Sequence, residues 1–226
     1  SFPTRRSSDL VDACPHLTCV GASYAEILEM LEKYKQNGIH RLVLLRGDLP
    51  SGMVGMGECK HASDLVRLIR KEYADHFTIA VAAYPEAHPS SKNMQSEIKY
   101  FAEKMNAGAD FAITQYFYNC DSYYNFMDLC AKQQINIPVL PGIMPIANFE
   151  NLKKFSKQCG AEIPRWIKKS MSSYEDDAEA QRQLGIEIVS RMAEQLIQYG
   201  VPGFHFYTMN QSGLTRSIVE NLNIAD

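Results

Sequence analysis

From Cys14 to the C-terminus, short runs rich in Val, Ile, Phe and Tyr alternate with longer stretches of helical periodicity, and nothing interrupts the alternation. The short runs fall at 15–20, 41–45, 77–83, 111–117, 138–143 and 203–209, with the length and residue types of buried strands. Strand and helix in strict succession imply parallel strands joined by right-handed crossovers. The helices carry their own punctuation. Residues 23–37 close on Gly38 and 91–107 on Gly108, the place of a C′ glycine. Ser173-Tyr174-Glu175-Asp176 reads as an N-cap with acids in the first turn. The helix it opens carries Leu184, Ile188, Val189, Met192 and Leu196 as a core stripe.

The alternation leaves a doubly wound sheet or a barrel. A dinucleotide-binding sheet wants G-x-G-x-x-G directly after a strand, whereas Gly52-Met53-Val54-Gly55-Met56-Gly57 lies several residues past one and reads as a flexible loop. A barrel closes with eight strands, and this chain supplies about six. The expectation is an α/β fold of the (β/α)8 TIM-barrel type, with the first one or two βα units missing from this chain. Residues 1–10 have no hydrophobic periodicity, and their twin arginine is not followed by the apolar run of a secretion signal. They resemble a translated sequencing adapter, which makes 1–10 a non-native segment and 11–226 a partial barrel domain. At 226 residues and 46% hydrophobic, the chain suits one such domain.

Charge excludes some partners. A net charge of −3 disfavours a nucleic-acid surface, and Lys153-Lys154 and Lys168-Lys169 are short enough to be solvated helix faces. No apolar run reaches the roughly 20 residues of a membrane helix. The six cysteines form no C-x-x-C pair, which points to reduced thiols in a cytoplasmic protein. Cys59 and His61 lie close together, but no further cluster completes a metal tetrahedron.

Polar and aromatic groups gather where the strands end: Arg46-Gly47-Asp48 after the second, Tyr84-Pro85-Glu86-Ala87-His88 after the third, Gln115-Tyr116-Phe117 after the fourth and Thr208-Met209-Asn210-Gln211 after the last. In parallel βα folds that end holds the ligand. Arg46 can grip a diphosphate or carboxylate with two N–H groups, and Gly47 lets backbone approach a ligand closely. Asp48 is either a site carboxylate or a loop cap for backbone amides. A lone His16 in a strand and Phe155 in a helix would ordinarily be core.

Six motifs then align with one family: His16-Leu17-Thr18-Cys19, Arg46-Gly47-Asp48-Leu49-Pro50, Ala82-Ala83-Tyr84-Pro85-Glu86-Ala87-His88-Pro89, Ile113-Thr114-Gln115, Pro141-Gly142-Ile143-Met144-Pro145 and Phe204-His205-Phe206-Tyr207-Thr208-Met209-Asn210. Together they resemble methylenetetrahydrofolate reductase of the short bacterial type. The resemblance implies an oxidoreductase of one-carbon and methionine metabolism, in which NADH or NADPH reduces FAD and hydride then passes to 5,10-methylenetetrahydrofolate, giving 5-methyltetrahydrofolate. By the same resemblance Asp48, Gln115 and Phe155 are the catalytic set. His16, Arg46, Gly47, Asp48, His61, Ala62, Tyr84, His88, Glu97 and Lys104 line the FAD. Gln115, Asn151 and Gln211 face the folate, Asn151 and Gln211 standing where relatives have glutamine and arginine. The family's general acid, a glutamate on the first strand, has no counterpart here. The resemblance is compatible with a homo-oligomer. The alternatives are an inactive flavin-binding fragment, or a barrel enzyme of other chemistry such as a phosphate-binding lyase, for which Asn210-Gln211-Ser212-Gly213 is a poor phosphate loop.

Overall fold

The computed structural model describes residues 12–47 and 57–222. Asp48, most of the glycine-rich loop and the 1–10 segment lie outside the described residues. The elements run β1 (His16–Thr18), α1 (Tyr24–Gln36), β2 (Arg41–Leu45), α2 (Ala62–Tyr73), β3 (Thr78–Ala83), α3 (Met94–Asn106), β4 (Phe111–Tyr116), α4 (Cys120–Lys132), β5 (Val139–Ile143), α5 (Phe149–Cys159), α6 (Arg165–Ser172), α7 (Ala178–Tyr199), β6 (His205–Phe206) and α8 (Ser212–Leu222). The strands form a six-stranded sheet in chain order, and the pairings β1 with β2, β2 with β3 and β5 with β6 are parallel. Helical crossovers that return each strand beside the last produce this order, and the strict succession expected from the sequence breaks only between β5 and β6, where three helices, α5 to α7, intervene among the described residues. The α/β class and the parallel sheet are as expected from the sequence. Two compact units divide the chain within β3, α3 and β4: residues up to Ala82 with Tyr100–Ala112, and Ala83–Lys99 with Ile113 onward.

In the first unit, Leu42, Val43 and Leu44 of β2 are all buried, as are Ile79, Ala80 and Val81 of β3. Strands covered on both faces read as unbroken apolar runs. Ile27 and Leu31 of α1 and Leu65, Val66 and Ile69 of α2 complete that core. Helix α1 starts at a reciprocal cap, in which Ser23 Oγ accepts from Glu26 N at 3.3 Å and Glu26 Oε2 accepts from Ser23 N at 2.8 Å. It ends as anticipated on Gly38, whose φ of +71° suits glycine. In the last turn of α2, Arg70 donates to the carbonyls of Gly108, Ala74 and Phe77 at 2.8, 3.0 and 2.8 Å, and to Asp110 Oδ2 at 2.6 Å.

In the second unit, Ile188, Val189, Met192 and Leu196 of α7 are buried as the stripe predicts, whereas Leu184 is half-buried. The start of α7 corrects the sequence reading. Ser173 closes α6 instead, and Asp177 caps α7 by accepting from Ala180 N at 2.9 Å. The Tyr174 carbonyl is taken by Asp177 N at 3.1 Å, a turn that separates the two helices. Helix α3 likewise begins at Met94 rather than Ser91, because Asn93 Oδ1 accepts from Ser96 N at 2.9 Å and so starts the helix there. Strand β6 keeps only His205 and Phe206 of the anticipated 203–209.

Candidate functional site

The first unit collects the cofactor candidates of β1, β2 and α2. Beyond the paired strands the ladder continues, with Cys19 N donating to Leu45 O at 3.3 Å and Val20 N to Arg46 O at 2.9 Å. The Cys19 thiol lies 3.6 Å from Arg46 O and 3.8 Å from His61 O and can donate its one proton to either, between the end of β2 and the start of α2. Gly47 has φ +84°, and a Cβ there would lie 2.8 Å from Val20 Cγ1 and 3.0 Å from Thr18 Cβ. The close approach that requires glycine is therefore made by the chain's own β1 end. Arg46 is half-buried, and among the described residues its hydrogen bond is a long one, Nε to Gly47 O at 3.4 Å. That leaves most of its N–H donors for an anion. His61 is the N-cap of α2, with its amide held by Asp64 Oδ2 at 3.0 Å, and Ala62 is the first helical residue. Asp64 Oδ2 also accepts from Lys60 N at 3.2 Å, so a carboxylate of the chain's own caps this helix start. His16 is exposed on β1, and Lys104 of α3 donates to Ala82 O, at the C-terminal end of β3, at 2.5 Å.

The second unit holds the turn after β3. Ala87 N donates to Tyr84 O at 3.1 Å, and Ala87 takes φ +62°, which for a residue with a Cβ costs about 1–2 kcal/mol. The Tyr84 and His88 rings meet edge to face at 4.8 Å. Ser90 N donates to His88 Nδ1 at 3.1 Å, and Ser90 Oγ lies 2.6 Å from the same nitrogen, so the Ser90 backbone and side chain both meet that edge of the ring. Glu97 is buried at 2% exposure, and its Oε2 accepts from His88 N at 3.1 Å and from Ser91 Oγ at 2.6 Å. What this carboxylate does in the structure is hold the turn that carries His88.

A small recess beside this turn is lined by Tyr84, Glu86, Gln115, Tyr116 and Cys159. Gln115 is half-buried and turns its Oε1 back to accept from Tyr116 N at 3.0 Å, which leaves its NH2 for a partner. Tyr116 hydroxyl and Ser156 Oγ are 3.1 Å apart, and the Cys159 thiol donates to the same hydroxyl at 3.1 Å. Asn151 and Phe155 lie one turn apart on α5, and both are exposed, so Phe155 is not the core residue its helix position suggests. The buried stripe of α5 is Phe149, Leu152 and Ser156 instead. Gln211 is exposed at the end of a turn in which Met209 and Asn210 take φ +49° and +60°.

Glu86 was not among the expected site residues, although it lies inside the motif that carries Tyr84 and His88. Its Oε2 accepts from Glu162 N at 2.7 Å and its Oε1 from Ser122 Oγ at 3.3 Å. Burial pushes its carboxyl above the usual glutamate value, the two hydrogen bonds pulling the other way. A carboxyl with a higher pKa folded than unfolded binds its proton more tightly in the folded state. Its contribution to stability is then present below the ordinary glutamate value and lost as pH rises through the raised one. Glu86→Gln should accordingly gain stability relative to the parent between about pH 4 and about pH 7, read as urea midpoints. Parallel midpoints at both pH values would contradict the account.

The methylenetetrahydrofolate reductase family model matches residues 5–223. The chain belongs to that family. It is 47% identical over 208 residues to the 5,10-methylenetetrahydrofolate reductase of Buchnera aphidicola subsp. Schizaphis graminum, spanning 92% of this chain and 70% of that one. It is 42% identical over 214 residues to the Escherichia coli K12 5,10-methylenetetrahydrofolate reductase, spanning 95% and 71%. Membership of the methylenetetrahydrofolate reductase family places the chain among the oxidoreductases of folate one-carbon metabolism. Among solved structures, an uncharacterized protein from Clostridium thermocellum that binds two copies of 5-methyl-5,6,7,8-tetrahydrofolic acid superposes with a TM-score of 0.58. It covers 96% of this chain and 76% of its own, and at 18% identity the likeness speaks for the fold alone. No described helix is long and apolar enough to cross a membrane, and no three described His, Cys, Asp or Glu residues are grouped to hold a metal ion.

Proposed function

We propose that the chain is the reductase domain of a (β/α)8 flavoenzyme that reduces 5,10-methylenetetrahydrofolate to 5-methyltetrahydrofolate with NADH or NADPH, in the cytoplasm. What carries the reading is the family match over 5–223, joined to polar groups at the strand ends that have bonding capacity to spare. FAD, when bound, supplies the hydride relay between nicotinamide and folate. Arg46 fits that group, because its half-buried guanidinium keeps donors for a diphosphate. Lys104 adds charge, while His16, Gly47, His61 and Ala62 line the same cofactor. Tyr84 offers it an aromatic face and His88 an imidazole, on a turn that Glu97 holds by accepting from His88 N.

For the folate, the NH2 of Gln115 binds the pterin edge, Phe155 covers the ring, and Asn151 and Gln211 meet the glutamate end. Asp48 supplies a negative charge that favours hydride donation and steadies a cationic iminium form of the substrate.

The purified protein is expected to be yellow, with flavin bands near about 380 and 450 nm. NADH or NADPH should bleach it without air, and 5,10-methylenetetrahydrofolate should restore the colour. A protein that takes up no FAD when FAD is supplied would overturn the reading.

A further inference from the structure

Tyr207 lies just past β6 and has no part in the site assigned above, yet its hydroxyl donates to the Thr114 carbonyl at 2.9 Å, on the residue directly before Gln115. Thr114 is fully buried, and its Oγ1 accepts from Gly142 N at 2.8 Å. The three strands converge so tightly here that a Cβ on Gly142 would stand 2.2 Å from the Thr114 oxygen and 2.7 Å from the Tyr207 ring. At this point β4 is therefore tied to β5 through a threonine hydroxyl, and the end of β6 reaches it through a tyrosine hydroxyl.

The Tyr207 ring has little freedom to leave. It packs edge-on against Tyr116 at 6.2 Å and against His205 at 4.8 Å, and Tyr207 N donates to Ile143 O at 2.8 Å. Burial pushes its hydroxyl up to about 12, so it remains a neutral donor at working pH. The Thr114 carbonyl and the Gln115 amide nitrogen belong to one planar peptide unit. A hydrogen bond that fixes the carbonyl direction therefore also fixes the backbone from which the Gln115 side chain leaves. Because Gln115 Oε1 is itself bonded to Tyr116 N, the heading of its free NH2 follows the backbone at 114–116.

We propose that Tyr207 is a positioning residue for Gln115, its hydroxyl locking the Thr114–Gln115 peptide plane and so aiming the carboxamide at the folate. This rests on the proposed folate role of Gln115. A residue acting through another has no effect once that other is gone, which separates positioning from a general loss of packing.

The test is calorimetric binding of 5-methyltetrahydrofolate to the 226-residue protein, to Tyr207→Phe, to Gln115→Ala and to the double variant. Tyr207→Phe keeps the ring and removes only the hydroxyl. It should weaken binding about tenfold, and the double variant should bind no more weakly than Gln115→Ala alone. Losses that simply add, or a Tyr207→Phe protein that binds as tightly as the parent, overturn the proposal while leaving Gln115 in its role. A Gln115→Ala protein that binds as tightly as the parent overturns the role of Gln115, and a parent that binds no folate overturns the site reading. Either result takes the proposal down with it, and each is distinguishable from the first two.

Discussion

Replacing Gly142 with alanine is expected to lower the melting temperature by about 10 °C. The added Cβ would sit 2.2 Å from the Thr114 carbonyl oxygen and 2.7 Å from Tyr207 Cε2. Thr114 is backbone inside the sheet and Tyr207 is pinned through its hydroxyl, so neither can yield cheaply. Overpacking of a rigid core costs roughly 3 kcal/mol, and for a chain of this size each kcal/mol shifts the midpoint by about 2–4 °C. The control has the opposite sign. Gly213, in α8, has nothing within 4 Å of an added Cβ, so Gly213→Ala should raise stability by about 0.5–1 kcal/mol through helix propensity and lost unfolded-state freedom. Circular dichroism melts of both variants decide the matter. A Gly142→Ala protein melting within about 2 °C of the parent would mean that the strands at Thr114 are not so tightly joined.

Arg70→Ala should be nearly as costly, at roughly 3 kcal/mol. One guanidinium closes the first unit by donating to the carbonyls of Gly108, Ala74 and Phe77 and to Asp110, which also accepts from Ile79 N at 2.6 Å. The arginine side chain is only 18% exposed, so water replaces these partners poorly once it is removed. The Ala74 carbonyl belongs to the C-cap of α2, where a cation also opposes the negative end of the helix dipole. Arg70→Lys keeps the charge but not the planar fork, and should recover less than half of the loss. Urea midpoints would show this order. Equal stability of Arg70→Lys and the parent would reduce the cluster to a single charge contact.

Much of this was legible in the sequence, and the reasons are local. Strand β2 falls on 41–45 as read, because an unbroken Leu-Val-Leu-Leu run bounded by polar residues has few other readings. Helix α1 was bounded by Ser23 and Gly38, residues whose backbone preferences act without help from the rest of the chain. The starts of α3 and α7 were misread where several capping residues compete within a few positions, and which wins depends on tertiary partners such as Glu97, which claims Ser91. The polar motifs at the strand ends were visible because each is contiguous. The recess around Glu86 and the tie from Tyr207 to Thr114 were not, since they join residues 76 and 93 positions apart and leave no spacing signal in one sequence.

The most direct measurement of the central claim is product stoichiometry: the purified protein, supplied with FAD, is given 5,10-methylenetetrahydrofolate and NADH or NADPH, and 5-methyltetrahydrofolate is quantified chromatographically. The account predicts one 5-methyltetrahydrofolate formed for each nicotinamide oxidised. Oxidation of the nicotinamide by a quinone but not by the folate, with no methylated product, would contradict it.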